Sequence, residues 1–340
     1  MKRYFCTYFD HNYLPYGMAL FDSLVKSGID FELFVLTLSD ECHCRLENAD
    51  RRIIPVRLQE LEEYDPELAQ CRFNRSQTEY IFTLSPCLPL FLFEKFPRID
   101  LLTYLDSDLY FFNSPETLYD ELGNKSLYII EHRFSAEHRY RAELNGRFNM
   151  AFQIYRKNDT GIACLKQWRS QCLEWCFDRV EDGKFADQKY LDSWPEDFKD
   201  EVVISANNGA NLAPWNINNY LIEKTGNSFT VDGKELVFVH YQSFKILDKH
   251  IFVWYDWNQK NRNRTVLKTL AHTYFKELNE IKKKYPKVFS GIADFYPNRG
   301  AFFSPKLERV LRFVPGKFLK KFLRLTFVFI FYNRHIYFDI

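Results

Sequence analysis

Asp106 and Asp108 close the apolar run Leu101-Leu102-Thr103-Tyr104-Leu105, and a second apolar run, Leu109-Tyr110-Phe111-Phe112, follows them. In an extended segment, residues i and i+2 point the same way and lie about 7 Å apart. Two carboxylates so placed can flank one divalent cation. Mg²⁺ and Mn²⁺ take oxygen ligands from carboxylates, waters and substrate phosphates. Carboxyl ends of strands are also where open α/β sheets bind ligands. A turn or cap made by two aspartates is the plainer alternative, but packing gives no reason to end an apolar strand in two acids. His240 follows the apolar run Leu236–Val239 and lies near Lys245. Its neutral imidazole suits Mn²⁺ as a third ligand, and Lys245 suits a phosphate as a point charge. A core histidine with satisfied hydrogen bonds is the alternative. Asp187 and Gln188 stand before Tyr190 and Leu191, where Asp187 reads equally as a helix N-cap or a site residue.

The composition narrows the chemistry. The 340 residues include 34 Phe, 21 Tyr and 6 Trp but only 12 Gly. Neither G-x-G-x-x-G nor G-x-x-x-x-G-K-[ST] occurs, so a phosphorylated ligand must be held by charge rather than by a glycine loop. A net charge of +1 argues against a nucleic-acid partner. Residues 305–340 differ from the rest, with eight Lys/Arg against two acids. Eight cysteines form no disulfide framework, and a core of this size needs none. Cys42-His43-Cys44 resembles half a metal site, but no second pair follows at zinc spacing. Cys172 and Cys176, beside Trp168 and Trp175, read as core. No run reaches 18 apolar residues, so no membrane-spanning helix is expected and the cytoplasm is the expected compartment.

Positioning these residues requires an α/β scaffold. Strands are expected at 3–9, 31–38, 53–58, 101–105, 109–112, 127–131, 148–156 and 236–241. Helices are expected at 14–27, 78–95 (interrupted by Pro86 and Pro89), 159–180, from 187 to 193, and at 265–284. The opening strand–helix–strand pattern predicts a mainly parallel sheet. The expected organisation is a catalytic domain over 1–260, a helical extension over 261–304 and a basic amphipathic tail over 305–340.

Tyr104-Leu105-Asp106-Ser107-Asp108-Leu109-Tyr110 resembles the metal-binding segment of GT-A fold nucleotide-sugar glycosyltransferases, closest to bacterial glycosyltransferase family 8 and its relatives. Phe9-Asp10-His11-Asn12-Tyr13 resembles the family's first-strand nucleotide segment. Arg147-Phe148-Asn149-Met150-Ala151, Asp187-Gln188-Lys189-Tyr190-Leu191, Pro214-Trp215-Asn216 and Val239-His240-Tyr241-Gln242-Ser243-Phe244-Lys245 follow in the family's order. The likeness implies a Rossmann-like, mixed and mainly parallel sheet with flanking helices and a C-terminal helical appendage. It implies metal-dependent transfer of a sugar from a UDP-sugar, with retention; a saccharide or lipid-linked acceptor, in surface polysaccharide or lipooligosaccharide synthesis, is the expectation that fits the basic C-terminal segment. Asp106, Asp108 and His240 would hold Mn²⁺ or Mg²⁺, with Ser107 between them. Asp10, Asn12 and Tyr13 would recognise base and ribose, Asn149 and Asp187 would position sugar hydroxyls, Gln188 would sit near the reacting carbon, and Lys245 would meet the diphosphate. Ala151 and Ser243 stand where the family carries glycine, Lys189 stands where it carries a second acid, and the interval from Ser243 to Lys245 departs from its spacing.

The segment 316–325 places Lys317, Lys320, Lys321 and Arg324 on one helical face and Phe318, Phe322 and Leu325 on another. That pattern suits contact with an anionic membrane surface at the cytoplasmic face, although a helix docked on the core has the same pattern. A haloacid-type phosphatase would carry its D-x-D on the first strand, and a sugar nucleotidyltransferase would need a glycine-rich loop. A non-catalytic nucleotide-sugar or glycan-binding protein of the same fold is the alternative from a different class.

Overall fold

The apolar runs near the N-terminus become the parallel half of a seven-stranded sheet. In the computed structural model, which describes residues 1–248, 250–258, 260–292 and 336–338, β1 (Arg3–Phe9) leads through α1 (Leu14–Lys26) to β2 (Phe31–Thr37). α2 (Asp40–Leu46) then leads to β3 (Ile53–Arg57). β1 and β2 pair in parallel with Phe5 opposite Leu33, and β2 and β3 do the same. Parallel neighbours need such crossovers, and α1 and α2 supply them. The helices α3 (Leu58–Tyr64), α4 (Pro66–Gln70) and α5 (Gln77–Lys95) follow. β4 (Leu101–Leu105) then enters on the other side of β1, parallel to it, with Thr103 opposite Phe5.

The second half of the sheet is mixed. After β4 the chain passes through β5 (Leu109–Phe111), which lies outside this sheet, then α6 (Glu116–Leu122), β6 (Leu127–Glu131), α7 (Tyr140–Asn145) and β7 (Phe148–Arg156). β7 lies antiparallel between β4 and β6. After α8 (Asp159–Glu174) and α9 (Trp194–Asp197), β8 (Val202–Ile204) pairs in parallel with β6. The strand order is β3-β2-β1-β4-β7-β6-β8. This is the mixed, mainly parallel α/β architecture expected from the sequence. Three further strands, β9 (Ile222–Thr225), β10 (Ser228–Val231) and β11 (Lys234–Glu235), form an antiparallel meander. β12 (Phe238–His240) pairs with β5. β13 (Lys245–Asp248) and β14 (Ile251–Val253) form a small sheet with β15 (Ile336–Phe338). Between β14 and β15 in the chain lies α10 (Arg264–Lys284).

Strand alternation divides the core into two layers. Phe5 joins Leu20, Phe21, Phe152, Tyr274 and Phe275 on the face covered by α1 and α10. Its neighbour Cys6 joins Leu84, Leu88, Leu102, Trp168 and Trp194 on the face covered by α5 and α8. α10 is tied down at its end, where the Tyr285 hydroxyl donates to buried Asp22 at 2.9 Å and Lys284 pairs with the same carboxylate.

Three boundaries differ from the sequence reading. α5 is continuous through Pro86 and Pro89. Each proline removes one backbone bond, but Leu84, Cys87, Leu88 and Leu92 are all buried, and that packing keeps the helix whole. The helix expected over 159–180 stops at Glu174, because Trp175 turns extended to bury its own ring. The segment 188–193 is a 3₁₀ turn rather than an α-helix. Cys42 is buried and Cys44 exposed on α2, so the two thiols do not converge. The amphipathic segment 316–325 lies outside the described residues.

Candidate active site

The two aspartates converge by a different route from the one the sequence suggested. They are not on an extended strand. β4 ends at Leu105, and the chain turns through 106–108 before β5 begins. The Asp106 amide donates to the Ala151 carbonyl at 2.9 Å, and the Leu109 amide returns to the Asp106 carbonyl at 3.3 Å. β5 therefore leaves the main sheet and pairs antiparallel with β12, placing His240 opposite Leu109. The Tyr241 amide donates to the Asp108 carbonyl at 3.0 Å and fixes this register. The imidazole Nε2 of His240 consequently lies 3.2 Å from Asp108 Oδ1 and 3.7 Å from Asp106 Oδ2.

These three side chains fit a divalent cation. One ligand atom from each can be chosen so that all lie within 4.8 Å of one another. Neither carboxylate pairs with a lysine or arginine among the described residues, so the negative charge at the turn lacks a fixed counter-charge. Desolvation low in the cleft pushes the Asp106 carboxyl up to about 6 against the pull of His240, and Asp108 adds to the rise. Burial disfavours protonation of His240, but the two carboxylates outweigh it and raise its pKa. His240 Nδ1 is buried without a hydrogen-bond partner. The Tyr104 hydroxyl donates to Asp106 Oδ1 at 2.9 Å and holds that carboxylate in place.

Two recesses meet at this turn and share Tyr8, Phe82, Asp106, His240 and Gln242. The first, about 370 Å³, is also lined by Asp10, Tyr13, Ser107 and Asp108. Tyr13 stands at its rim, 49% exposed. Asp10 organises the turn into α1: its Oδ1 accepts from the Asn12 and Tyr13 amides at 2.9 and 3.1 Å. The Asn12 side chain is itself bound to Asp10 Oδ2 at 2.8 Å and does not line the recess.

The second recess, about 390 Å³, brings Asn149, Asp187 and Gln188 to the other side of Asp106 and His240. Asn149 is clamped at both ends of its amide. Its Nδ2 donates to His132 Nε2 at 3.1 Å, and its Oδ1 accepts from the Ala151 amide at 3.1 Å. His132 is buried, which lowers its pKa to about 3, so the ring is neutral and can accept. Asp187 is 5% exposed and accepts from Ser85 Oγ at 2.7 Å, with Tyr8 OH 3.1 Å from the same serine. Burial pushes the Asp187 carboxyl up to about 7, Ser85 holding it back and Asp106 adding to the rise. Gln188 donates through Nε2 to the Asn145 carbonyl at 2.6 Å and lines the cleft. Gly146, at φ 115°, allows the end of α7 to lie against the Gln188 backbone, which an added Cβ would meet at 3.4 Å. Lys189 pairs instead with Asp192 at 2.9 Å.

Lys245 does not line either recess that contains Asp106 and His240. It sits on β13 and lines a third recess with Ser243 and Trp257. Ser243 has φ 62°, a left-handed conformation that costs a non-glycine residue about 1 kcal/mol. Ser243→Gly is therefore expected to raise stability by about 0.5–1 kcal/mol, read from urea unfolding. An unchanged or lower midpoint would count against strain there. Tyr8, His132, Trp215 and Gln242 were not singled out by the sequence as site residues. Tyr8 and Tyr104 each stand two residues before a site aspartate, a same-face signal. His132 and Trp215 come from distant segments that only folding brings together.

No protein-family model matches the chain. It is 29% identical over 283 residues to the uncharacterized protein YfnD of Bacillus subtilis (strain 168), covering 81% of this chain and 89% of that one. It is 29% identical over 257 residues to the uncharacterized protein YfnF of the same organism, covering 73% and 83%. Among solved structures, it is similar to a galactosyltransferase, LgtC, in complex with donor and acceptor sugar analogs. There the identity is 17% and the TM-score 0.48, with 82% of this chain and 95% of that chain covered. The glycosyltransferase GlyE of Streptococcus pneumoniae TIGR4 is similar at 17% identity and TM-score 0.45, with 84% and 64% covered.

Proposed function

We propose that the chain is a GT-A class glycosyltransferase, metal-dependent, which moves a sugar from a uridine diphosphate sugar to a saccharide or lipid-linked acceptor with retention. The observation that carries this reading is the Asp106–Asp108–His240 group at the carboxyl end of β4, with one recess on each side of it. Tyr13 at the rim offers a face on which a base can stack, and Asp10 offers a carboxylate to ribose hydroxyls. Asn149 and Asp187 are held to meet sugar hydroxyls, and Gln188 lines the same recess. Asp106, Asp108 and His240 would hold a divalent cation such as Mn²⁺, which would neutralise the negative charge that gathers on the departing diphosphate. The bond from the anomeric carbon to the diphosphate oxygen breaks with its electron pair going to the diphosphate. The acceptor hydroxyl oxygen bonds to that carbon, and its proton passes to the released phosphate. An amide is a poor nucleophile, so Gln188 positions the sugar rather than forming a stable covalent intermediate.

The test is hydrolysis of UDP-glucose and UDP-galactose without acceptor, with Mn²⁺ and with chelator. Slow hydrolysis dependent on metal is expected. Binding without turnover would favour the reading as a non-catalytic nucleotide-sugar binder. Polysaccharide or lipooligosaccharide synthesis at the cytoplasmic membrane face fits the basic pattern of 316–325. Removing 316–340 should then release the protein from vesicles of anionic lipid, and unchanged co-sedimentation would refute that part. Within the described residues, no helix is long and apolar enough to cross a membrane.

A further inference from the structure

The third recess, about 350 Å³, differs in charge from the two that flank the metal triad. Those two carry Asp10, Asp106, Asp108, Asp178 and Asp187 on their walls. This one has Arg141 and Lys245 and, among the described residues, no carboxylate in its lining. It adjoins the Asp187 recess directly, because Arg141 and Trp257 line both. The Arg141 guanidinium lies over the Trp257 ring, 4.7 Å from its centroid. Its Nε is buried and has no hydrogen-bond partner. Stacking on an aromatic face leaves the planar fork of a guanidinium pointing along its edge, the arrangement suited to a carboxylate or phosphate.

A second unsatisfied atom belongs to another residue of the lining, His138. His138 Nε2 lies 2.7 Å from the Trp257 carbonyl oxygen, which can only accept. Nε2 therefore carries the proton and Nδ1 presents its lone pair, and that Nδ1 is buried without a partner. A buried acceptor and a buried donor without partners, on two residues that line one recess, each carry a cost until a partner meets them. The ring of Trp257 and the half-exposed ring of Tyr255 add apolar faces of the kind that meet the C–H face of a sugar. The recess thus offers a cationic fork, a hydroxyl acceptor and an aromatic wall beside the position proposed for the reacting sugar.

Building on the glycosyl-transfer reading, we infer that this recess is the acceptor subsite and that it selects an acceptor sugar bearing an anionic group, a carboxylate or a phosphate. Arg141 grips the anion, with Lys245 adding charge, while His138 accepts from a ring hydroxyl.

The probes are glucuronate, galacturonate, glucose 1-phosphate and galactose 1-phosphate against glucose and galactose. Each is titrated into the full chain by ligand-observed NMR in the presence of UDP and Mg²⁺. At least one anionic sugar should bind about tenfold or more tightly than its neutral counterpart, as a charge-assisted bidentate contact requires. Binding of the uronates alone identifies a carboxylate acceptor, and of the sugar phosphates alone a phosphate acceptor. Arg141→Gln should remove most of the preference. Arg141→Lys, which keeps the charge and loses the fork, should retain part of it. Equal binding of neutral and anionic sugars by the unaltered chain overturns the inference, whether or not the variants fold. So does an undiminished preference in a folded Arg141→Gln. UDP binding by thermal shift, run in parallel, separates the two readings. If UDP fails to bind, the donor assignment falls; if it binds and no anion preference appears, only the acceptor inference falls.

Discussion

Asp106→Asn is expected to reduce metal-dependent donor cleavage by about a hundred- to a thousandfold, the usual cost of losing one electrostatic stabiliser of a transition state. The change is nearly isosteric, and the Tyr104 hydroxyl keeps an oxygen to donate to. What is lost is one negative charge from a group of three ligands that has no lysine or arginine partner among the described residues. Metal affinity should fall with activity, so calorimetric titration with Mn²⁺ and the hydrolysis assay should move together. Stability should move differently. The Asp106 carboxyl is pushed up to about 6, so its ionised form destabilises the metal-free fold near neutral pH. The metal-free variant should therefore melt no lower than the parent at pH 7.5. The parent should gain melting temperature on adding Mn²⁺, and the variant should not. Full activity in Asp106→Asn with chelator present would refute the metal mechanism.

Asp187→Asn should change the pH dependence of stability by a readable amount. Asp187 is 5% exposed, and its carboxyl is pushed up to about 7 in the folded chain from an ordinary value near 4. Below about pH 4 both folded and unfolded states hold the proton, and the group is neutral in each. Between about pH 4 and 7 the unfolded chain has released its proton while the folded chain keeps it. The unfolded state then binds fewer protons, so stability falls as pH rises through that window. Above about pH 7 both are ionised and the cost stays constant, on the order of 4 kcal/mol. An asparagine carries no charge and can still accept from Ser85. The variant's melting temperature, measured with chelator, should draw level with or trail the parent at pH 4. It should lead by several degrees at pH 8. A difference that stays flat across the range would show that Asp187 does not carry this burden. Near neutral pH the same group is poised between acid and carboxylate while it accepts from Ser85.

Much of the scaffold was legible because its signals are local. The apolar runs at 3–9, 31–37 and 101–105 became neighbouring strands, and α1 and α10 appeared where the apolar spacing placed them. Short elements such as α7 and the meander of β9–β11 were not legible, since few residues give no period and tertiary contacts decide their conformation. The prolines of α5 misled for the same reason: burial on both sides outweighs two missing hydrogen bonds.

The amino-acid sequence alone determined the side chains available to this protein: two aspartates and a histidine suited to a divalent cation, and no glycine loop for phosphate. Which of these groups meet was decided only by the tertiary structure. The antiparallel pairing of β5 with β12 brings His240 to Asp108 across more than a hundred residues of chain. Lys245, on β13, lines a recess shared with Arg141 and His138. Side-chain type is written residue by residue, but distance between side chains is set by register and packing, which depend on the whole chain at once.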